Sequence, residues 1–284
     1  MSTMSTTTIP TTIPEPQIGP LLRHWRAARR MSQLDLALEA NVSARHVSFV
    51  ETGRSQPSRE MVIALAQVLA VPPRERNTLL LAAGYAPLYR ETDLAAPAMA
   101  PIRQALALIL RQQDPFPTVA LDRTWQIVMA NAAWARVAAL SGAGTLAPYT
   151  VLPAPQPNIL RMLFDPAGLR PLIANWESVA RIMLHRARHE ATDNPASAAL
   201  VAELCAMPGV PASWRTPDRD APQHGGLLVP VTLRLGAQTA RLFSTITTLG
   251  TAQDITLQEL HIESFFPADD PTEHLLRTLG ANDE

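Results

Sequence analysis

Lysine is missing from this chain, since all 24 basic residues are Arg. That absence removes Schiff-base lysine chemistry, a P-loop lysine and a Ser-Lys dyad together. Cysteine is nearly missing as well: Cys205 stands alone, which excludes an intramolecular disulfide and a cysteine-rich zinc site. It lies in an apolar, helix-like run from Ala198 to Met207, where a buried inert thiol is expected, and a reducing cytoplasm is the compartment that fits. No stretch approaches the roughly 18 to 20 uninterrupted apolar residues of a membrane span, so no membrane partner is expected. Residues 1–17 are rich in Thr, Ser and Pro, lack the pattern of a signal peptide, and read as a disordered tail. There is no GxSxG turn, no dinucleotide fingerprint and no nucleophile with a placed base, so no catalytic residue is assigned and no enzyme is expected.

Charge is scarce in total and uneven in place. The formal net charge is −1, yet Ile18 to Tyr85 holds 9 Arg against 5 acids, and Ala86 onward holds 15 Arg against 19 acids. A small basic domain beside a larger acidic one suits phosphate contact in the first and solubility in the second. Arg23, Arg29, Arg30, Arg54 and Arg59 are the candidate phosphate contacts, with a solvated surface charge as the plain alternative for each.

The segment Ser32 to Ser58, SQLDLALEANVSARHVSFVETGRSQPS, predicts two short helices joined by a tight turn. Leu34, Leu36, Ala37 and Leu38 supply an apolar side to the first; Asn41 suits the left-handed turn, and Ser43 caps the second. With Val47 and Val50 inward, Ala44, Arg45, His46, Ser48 and Phe49 remain outside, a set of donor, methyl and aromatic groups that suits base edges in a major groove. A helical bundle that never touches DNA is the plainer alternative.

The spacing Gln33, Ala37, Asn41, Val47, Glu51, Gly53, Pro57 resembles the helix-turn-helix domains of the phage repressor and xenobiotic-response-element family. The resemblance implies that Gln33 bonds DNA, that Arg45 and His46 read bases, and that Arg26 pairs with Glu51; Ser43, Ala44, Ser48, Phe49 and Arg54 complete the expected DNA-binding set. Five helices are predicted: Ile18 to Arg30, Ser32 to Ala40, Ser43 to Thr52, Ser58 to Ala70, and Pro73 to Ala83 before Gly84.

An Ala/Pro-rich stretch, 86–100, reads as a linker, with a second domain over 101–276 and a tail at 277–284. The second domain opens with an amphipathic helix (Ile102, Ala105, Leu106, Ile109, Leu110) able to cover a sheet or join a dimer. Strands follow at Thr118 to Leu121 and Trp125 to Ala130, then a helix capped by Asn131, a segment Asn158 to Phe164, a long helix from Pro171 to about Glu190 and another from Ala196 to Met207. Strands at Leu227 to Leu235, Thr239 to Thr247 and Ile255 to Phe265 complete an antiparallel meander. On the last, Glu259, His261 and Glu263 alternate with Leu260 and Ile262, the pattern of an exposed strand face. His185 and His189 have metal-like i, i+4 spacing but lie among Arg181, Arg186 and Arg188, so a solvated helix face is expected and no metal.

Two strands, several helices and three strands is the order of a PAS-like sensor, in which helices wrap one face of a five-stranded antiparallel sheet. The segments PNILRMLFDPAGLRPLIANW and LFSTITTLGTAQDITLQELHIESFFPADD, with the Trp125 to Asn131 hairpin, resemble the ligand-binding domain of MmyB-like transcription regulators. The expected fold is therefore an all-α helix-turn-helix domain at 18–85 and an α+β, PAS-like domain behind it. The resemblance implies a cytoplasmic transcription regulator that binds double-stranded operator DNA as a homodimer and senses a small, largely apolar effector such as a fatty acid, without a cofactor. Trp125, Asn131, Trp134, Phe164, Arg170, Asn175, Trp176 and Met183 are the candidate ligand residues, and filling a core, capping backbone or pairing with Asp165 are the alternatives. A DNA-bound scaffold recruiting a protein, or an enzyme with a DNA-binding head, are the other functional readings.

Overall fold

Gly19 packs its backbone so closely on the end of the third helix that a Cβ there would lie 2.6 Å from the Glu51 carbonyl oxygen and 2.9 Å from that of Val50. This contact is in the first of two units into which the chain divides, one ending at Glu91 and one beginning at Thr92. The computed structural model describes residues 17–140, 146–190, 195–216, 230–250 and 254–281. The expected tail 1–17 lies outside them except for Gln17, as do residues 227–229 of the expected third strand.

The first unit is five helices: α1 (Ile18–Ala28), α2 (Gln33–Glu39), α3 (Ala44–Glu51), α4 (Arg59–Val68) and α5 (Pro73–Ala82). Their starts are written in local chemistry. Ser32 accepts from the Asp35 amide at 3.1 Å while the Asp35 carboxylate accepts from the Ser32 amide at 2.9 Å, a reciprocal capping box. Ser43 and Ser58 cap α3 and α4 through the amides of His46 and Met61, and α5 begins with proline. Asn41 sits at φ 53° between α2 and α3, the left-handed conformation that Asn tolerates. Leu22, Trp25, Leu36, Val47, Val50, Leu65, Leu79 and Leu80 form the core. Leu34 and Leu38 do not join it, being 57% and 70% exposed. At about 100° per residue they lie some 160° around α2 from Leu36, so a helix that buries Leu36 and Ala37 must turn both outward.

In the second unit α6 (Ala100–Gln113), β1 (Thr118–Leu121), β2 (Ile127–Ala130), α7 (Ala132–Leu140), α8 (Ile159–Phe164), α9 (Trp176–Glu190) and α10 (Pro195–Ala206) precede β3 (Pro230–Leu235), β4 (Gln238–Thr248), α11 (Ile255–Glu259), β5 (His261–Pro267) and α12 (Asp270–Ala281). One antiparallel sheet runs β2-β1-β5-β4-β3, with the last strand in the middle, paired to β1 and β4. Helices cover both faces, not one: Leu106 and Leu110 of α6 pack with Ala120, Met129 and Ile262, while α7 to α10 pack with Val119, Leu121 and Ile127. Every residue of β1 and β2 is consequently buried.

Three local expectations change. The run 255–265 is not one strand: Asp254 caps α11 through the Thr256 amide at 3.0 Å, and extended pairing starts at His261. The long helix expected from Pro171 begins at Trp176, because Ile173 bridges to Leu233 and Asn175 binds the backbone of β3 at both ends of its amide. The stretch 86–100 is divided between the units: Asn77 accepts from the Leu88 and Tyr89 amides and Arg74 pairs with Glu91, whereas Leu94 and Met99 are buried beside α6. Helix α12 continues past Leu276 to Ala281 and anchors to β4 where the Arg241 amide donates to Thr272 Oγ1 at 2.9 Å.

Candidate functional site

Helix α3 presents its outer face beyond the buried pair Val47 and Val50. Arg45 is exposed, and its guanidinium lies 5.1 Å from the Phe49 ring centroid; Arg54, also exposed, approaches the same ring at 6.0 Å. Each cation is attracted to the ring, which draws both guanidinium groups toward Phe49. Ala44, Ser48 and Phe49 are half-buried beside them, and Ser43 is spent on its cap. His46 is half-buried with Nε2 turned inward and without a hydrogen-bond partner among the described residues.

Behind this face is a buried carboxylate. Glu51 accepts from Arg26 Nε at 2.6 Å and Nη2 at 3.0 Å, and from Gln33 Nε2 at 2.8 Å; Arg23 approaches it at 3.7 Å. Burial pushes the Glu51 carboxyl up, but the hydrogen bonds of Arg26 and Gln33 and the two positive charges outweigh it, leaving it below the ordinary carboxylate value. Gln33 thus spends a donor inside the unit. Among the arginines expected on phosphate, Arg29 donates to the Leu69 and Ala70 carbonyls at the end of α4, so it closes that helix end.

The second unit contains an apolar cavity of about 70 Å³ between the sheet and its helices, bordered by Trp134, Val137, Ile159, Leu163, Met183, Val231, Leu233 and Phe265, with Glu263. Trp134 and Met183 are the sequence-predicted ligand residues that reach it. Trp125 and Phe164 are fully buried core, Trp125 at φ 67°, an uncommon backbone for a bulky side chain. Asn131 is consumed by backbone: its Oδ1 accepts from the amides of Thr118 and Trp134 and its Nδ2 donates to Phe116. Asn175 holds β3, as described. Arg170 is far from a carboxylate anchor, since it donates to the Pro208 and Gly209 carbonyls at 2.6 and 2.9 Å and lies 3.7 Å from the Trp176 ring centroid, on an open groove shared with Arg234.

Sequence reasoning missed Glu263 and His261. The strand alternation suggested solvent, but α9 covers that face, so Glu263 is 2% exposed and His261 packs edge-on to Trp125 at 5.7 Å. Burial and the Arg186 charge lower the His261 pKa to about 4, while burial raises that of Glu263 against the opposing pull of Arg186 and Ser244. The available signal was the burial of the central strand on both sides, which only the strand order reveals.

Two family models match the chain: a helix-turn-helix domain over residues 17–79 and the MmyB-like transcription regulator ligand binding domain over residues 102–279. No curated protein matches. Among solved structures, the clp gene regulator ClgR from Corynebacterium glutamicum is 24% identical over 36% of this chain and 99% of its own, with a TM-score of 0.22. An RNA-binding light-oxygen-voltage receptor is 15% identical over 94% of this chain and 63% of its own, with a TM-score of 0.24. Among the described residues no helix is long and apolar enough to cross a membrane. A helix-turn-helix head followed by a ligand-binding domain matched over more than half of the sequence makes this chain a member of the MmyB-like transcription regulators.

Proposed function

We propose that residues 18–85 read operator DNA through α3, and that residues 101–276 govern that reading in response to a small, largely apolar effector. The observation that carries the DNA half is the exposed Arg45 on α3, beside the Phe49 ring that Arg54 also approaches, on a helix whose opposite side is sealed by Val47 and Val50. An exposed guanidinium on such a helix suits bidentate contact with guanine, and Arg54 suits a phosphate. Gln33 and Ser43 lie at the starts of α2 and α3, where free amides favour phosphate oxygens.

The apolar cavity supports the effector half. Its lining suits a hydrocarbon body, and about 70 Å³ is below the roughly 300 to 1,000 Å³ of a drug-sized pocket, so the occupant is short or displaces the lining. Regulation follows if effector changes the spacing of two heads in a homodimer, because matched half-sites present recognition helices about 34 Å apart or a multiple of it. Selection of binding sites from a random DNA pool by the full chain, followed by light scattering of the complex, tests this. A recovered palindrome bound by two copies is expected; binding indifferent to sequence, or a single copy on DNA, would overturn it.

A further inference from the structure

We propose that Glu263 sets the chemical class of the effector, so that the cavity takes a small apolar molecule ending in a neutral group that both donates and accepts a hydrogen bond, such as an alcohol, and refuses an ionised carboxylate. This rests on the cavity being the effector site.

Glu263 lies on β5, the middle strand of the sheet, and is 2% exposed. It borders the cavity, and its Oε2 has no hydrogen-bond partner among the described residues. Trp134 of α7 borders the same space, and its indole Nε1 is likewise buried without a partner. A buried polar atom left unpaired is costly and rare enough to require a reason. Here two residues that each carry a buried, unpaired polar atom, a carboxyl oxygen and an N–H that can only donate, line one space otherwise walled by side chains such as Ile159, Leu163, Met183 and Leu233. A hydroxyl can accept from the indole and donate to the carboxyl, satisfying both.

A carboxylate has no such fit. The described lining contains no Arg and no His, and Arg170, the residue best suited by sequence to hold an acid, is bound to the Pro208 and Gly209 carbonyls elsewhere. A carboxylate buried there would have no cation in the described lining. The charged groups that act on Glu263 are Arg186 and Glu190, both on α9, and they oppose each other. Arg186 is committed to Glu190 at 3.5 Å and to the face of Trp125 at 4.7 Å.

Calorimetric titration of the full chain with 1-hexanol, hexanoate and hexylamine at neutral pH tests the assignment. Hexanol is expected to bind on the order of tenfold more tightly than hexanoate, and Glu263→Gln to bring the two within about threefold of each other. Equal affinities in the unaltered protein would overturn the role of Glu263 while leaving the cavity as an effector site. Tighter binding of hexylamine than hexanol would overturn the neutral class and make Glu263 a counter-ion. Failure of all three to bind would overturn the cavity reading and this inference with it. The order of the three in the unaltered protein decides the matter even if Glu263→Gln does not fold.

Discussion

Arg26 closes a two-point ion pair on Glu51, Nε to Oε1 at 2.6 Å and Nη2 to Oε2 at 3.0 Å, joining the end of α1 to the last residue of α3. Gln33 adds the start of α2 to the same carboxylate at 2.8 Å. One buried acid therefore ties together the three helices behind the proposed DNA-reading surface.

Arg26→Ala strips that acid of its main partner, leaving Arg23 at 3.7 Å and Gln33. Removing one member of a buried pair leaves an uncompensated charge, so the first unit should lose about 2 to 4 kcal/mol. Denaturant unfolding followed by Trp25 fluorescence reads this; a loss no larger than that of an exposed pair would contradict it. Because the folded-state pKa of Glu51 is lowered, its contribution is complete above its ordinary value of 4.5 and fades as pH falls through the folded value. The variant should lose stability less steeply in acid.

Two arginines that look alike in sequence should behave differently. Arg45→Ala, on the exposed face of α3, should cost about 1 to 3 kcal/mol on the preferred operator and relax specificity at one base pair. Arg29→Ala should leave base preference unchanged and lower the stability of the first unit, because its donors close the end of α4 on the Leu69 and Ala70 carbonyls. Fluorescence anisotropy on single-base operator variants separates them. Uniform weakening by Arg45→Ala on every sequence would make it a phosphate contact.

His261 makes the second unit sensitive to mild acid. Its pKa falls from 6.5 to about 4 in the fold, so between those values the unfolded chain binds a proton that the folded chain refuses. Stability supplied by the neutral imidazole is intact above pH 6.5 and drains as pH falls toward 4, by up to about 2 kcal/mol between pH 7 and pH 5. Glu263, raised by burial, acts in the opposite sense, losing stability as pH climbs above the ordinary carboxylate range. Melting curves of His261→Phe, which keeps a ring against Trp125, should show a shallower decline from pH 7 to pH 5 than the unaltered protein.

Arg170 should prove structural. Arg170→Ala removes two hydrogen bonds to the Pro208 and Gly209 carbonyls and the stacking on Trp176, a loss of about 1 to 2 kcal/mol at this partly exposed site. Binding of hexanol or hexanoate should not change. A selective loss of hexanoate would place Arg170 in the ligand site after all.

The helical head was legible because its determinants are local. Ser32, Ser43 and Ser58 cap the helices that follow them by hydrogen bonds spanning three residues, Asn41 adopts its left-handed turn, and Pro73 starts α5. Such signals act over one turn of chain and survive without knowledge of the rest. The periodicity of α2 was less secure, since Leu34, Leu36, Ala37 and Leu38 cannot all face one way and only packing chose Leu36 and Ala37. In the second unit the alternation at 259–263 was ambiguous for the same reason. A strand with polar residues on one face reads as half-exposed, and only the tertiary structure, by placing β5 between β1 and β4, buried Glu263 and half-buried His261. Local hydrogen-bonding and steric preferences determined where elements begin and end; which polar groups were desolvated depended on contacts made across the whole chain.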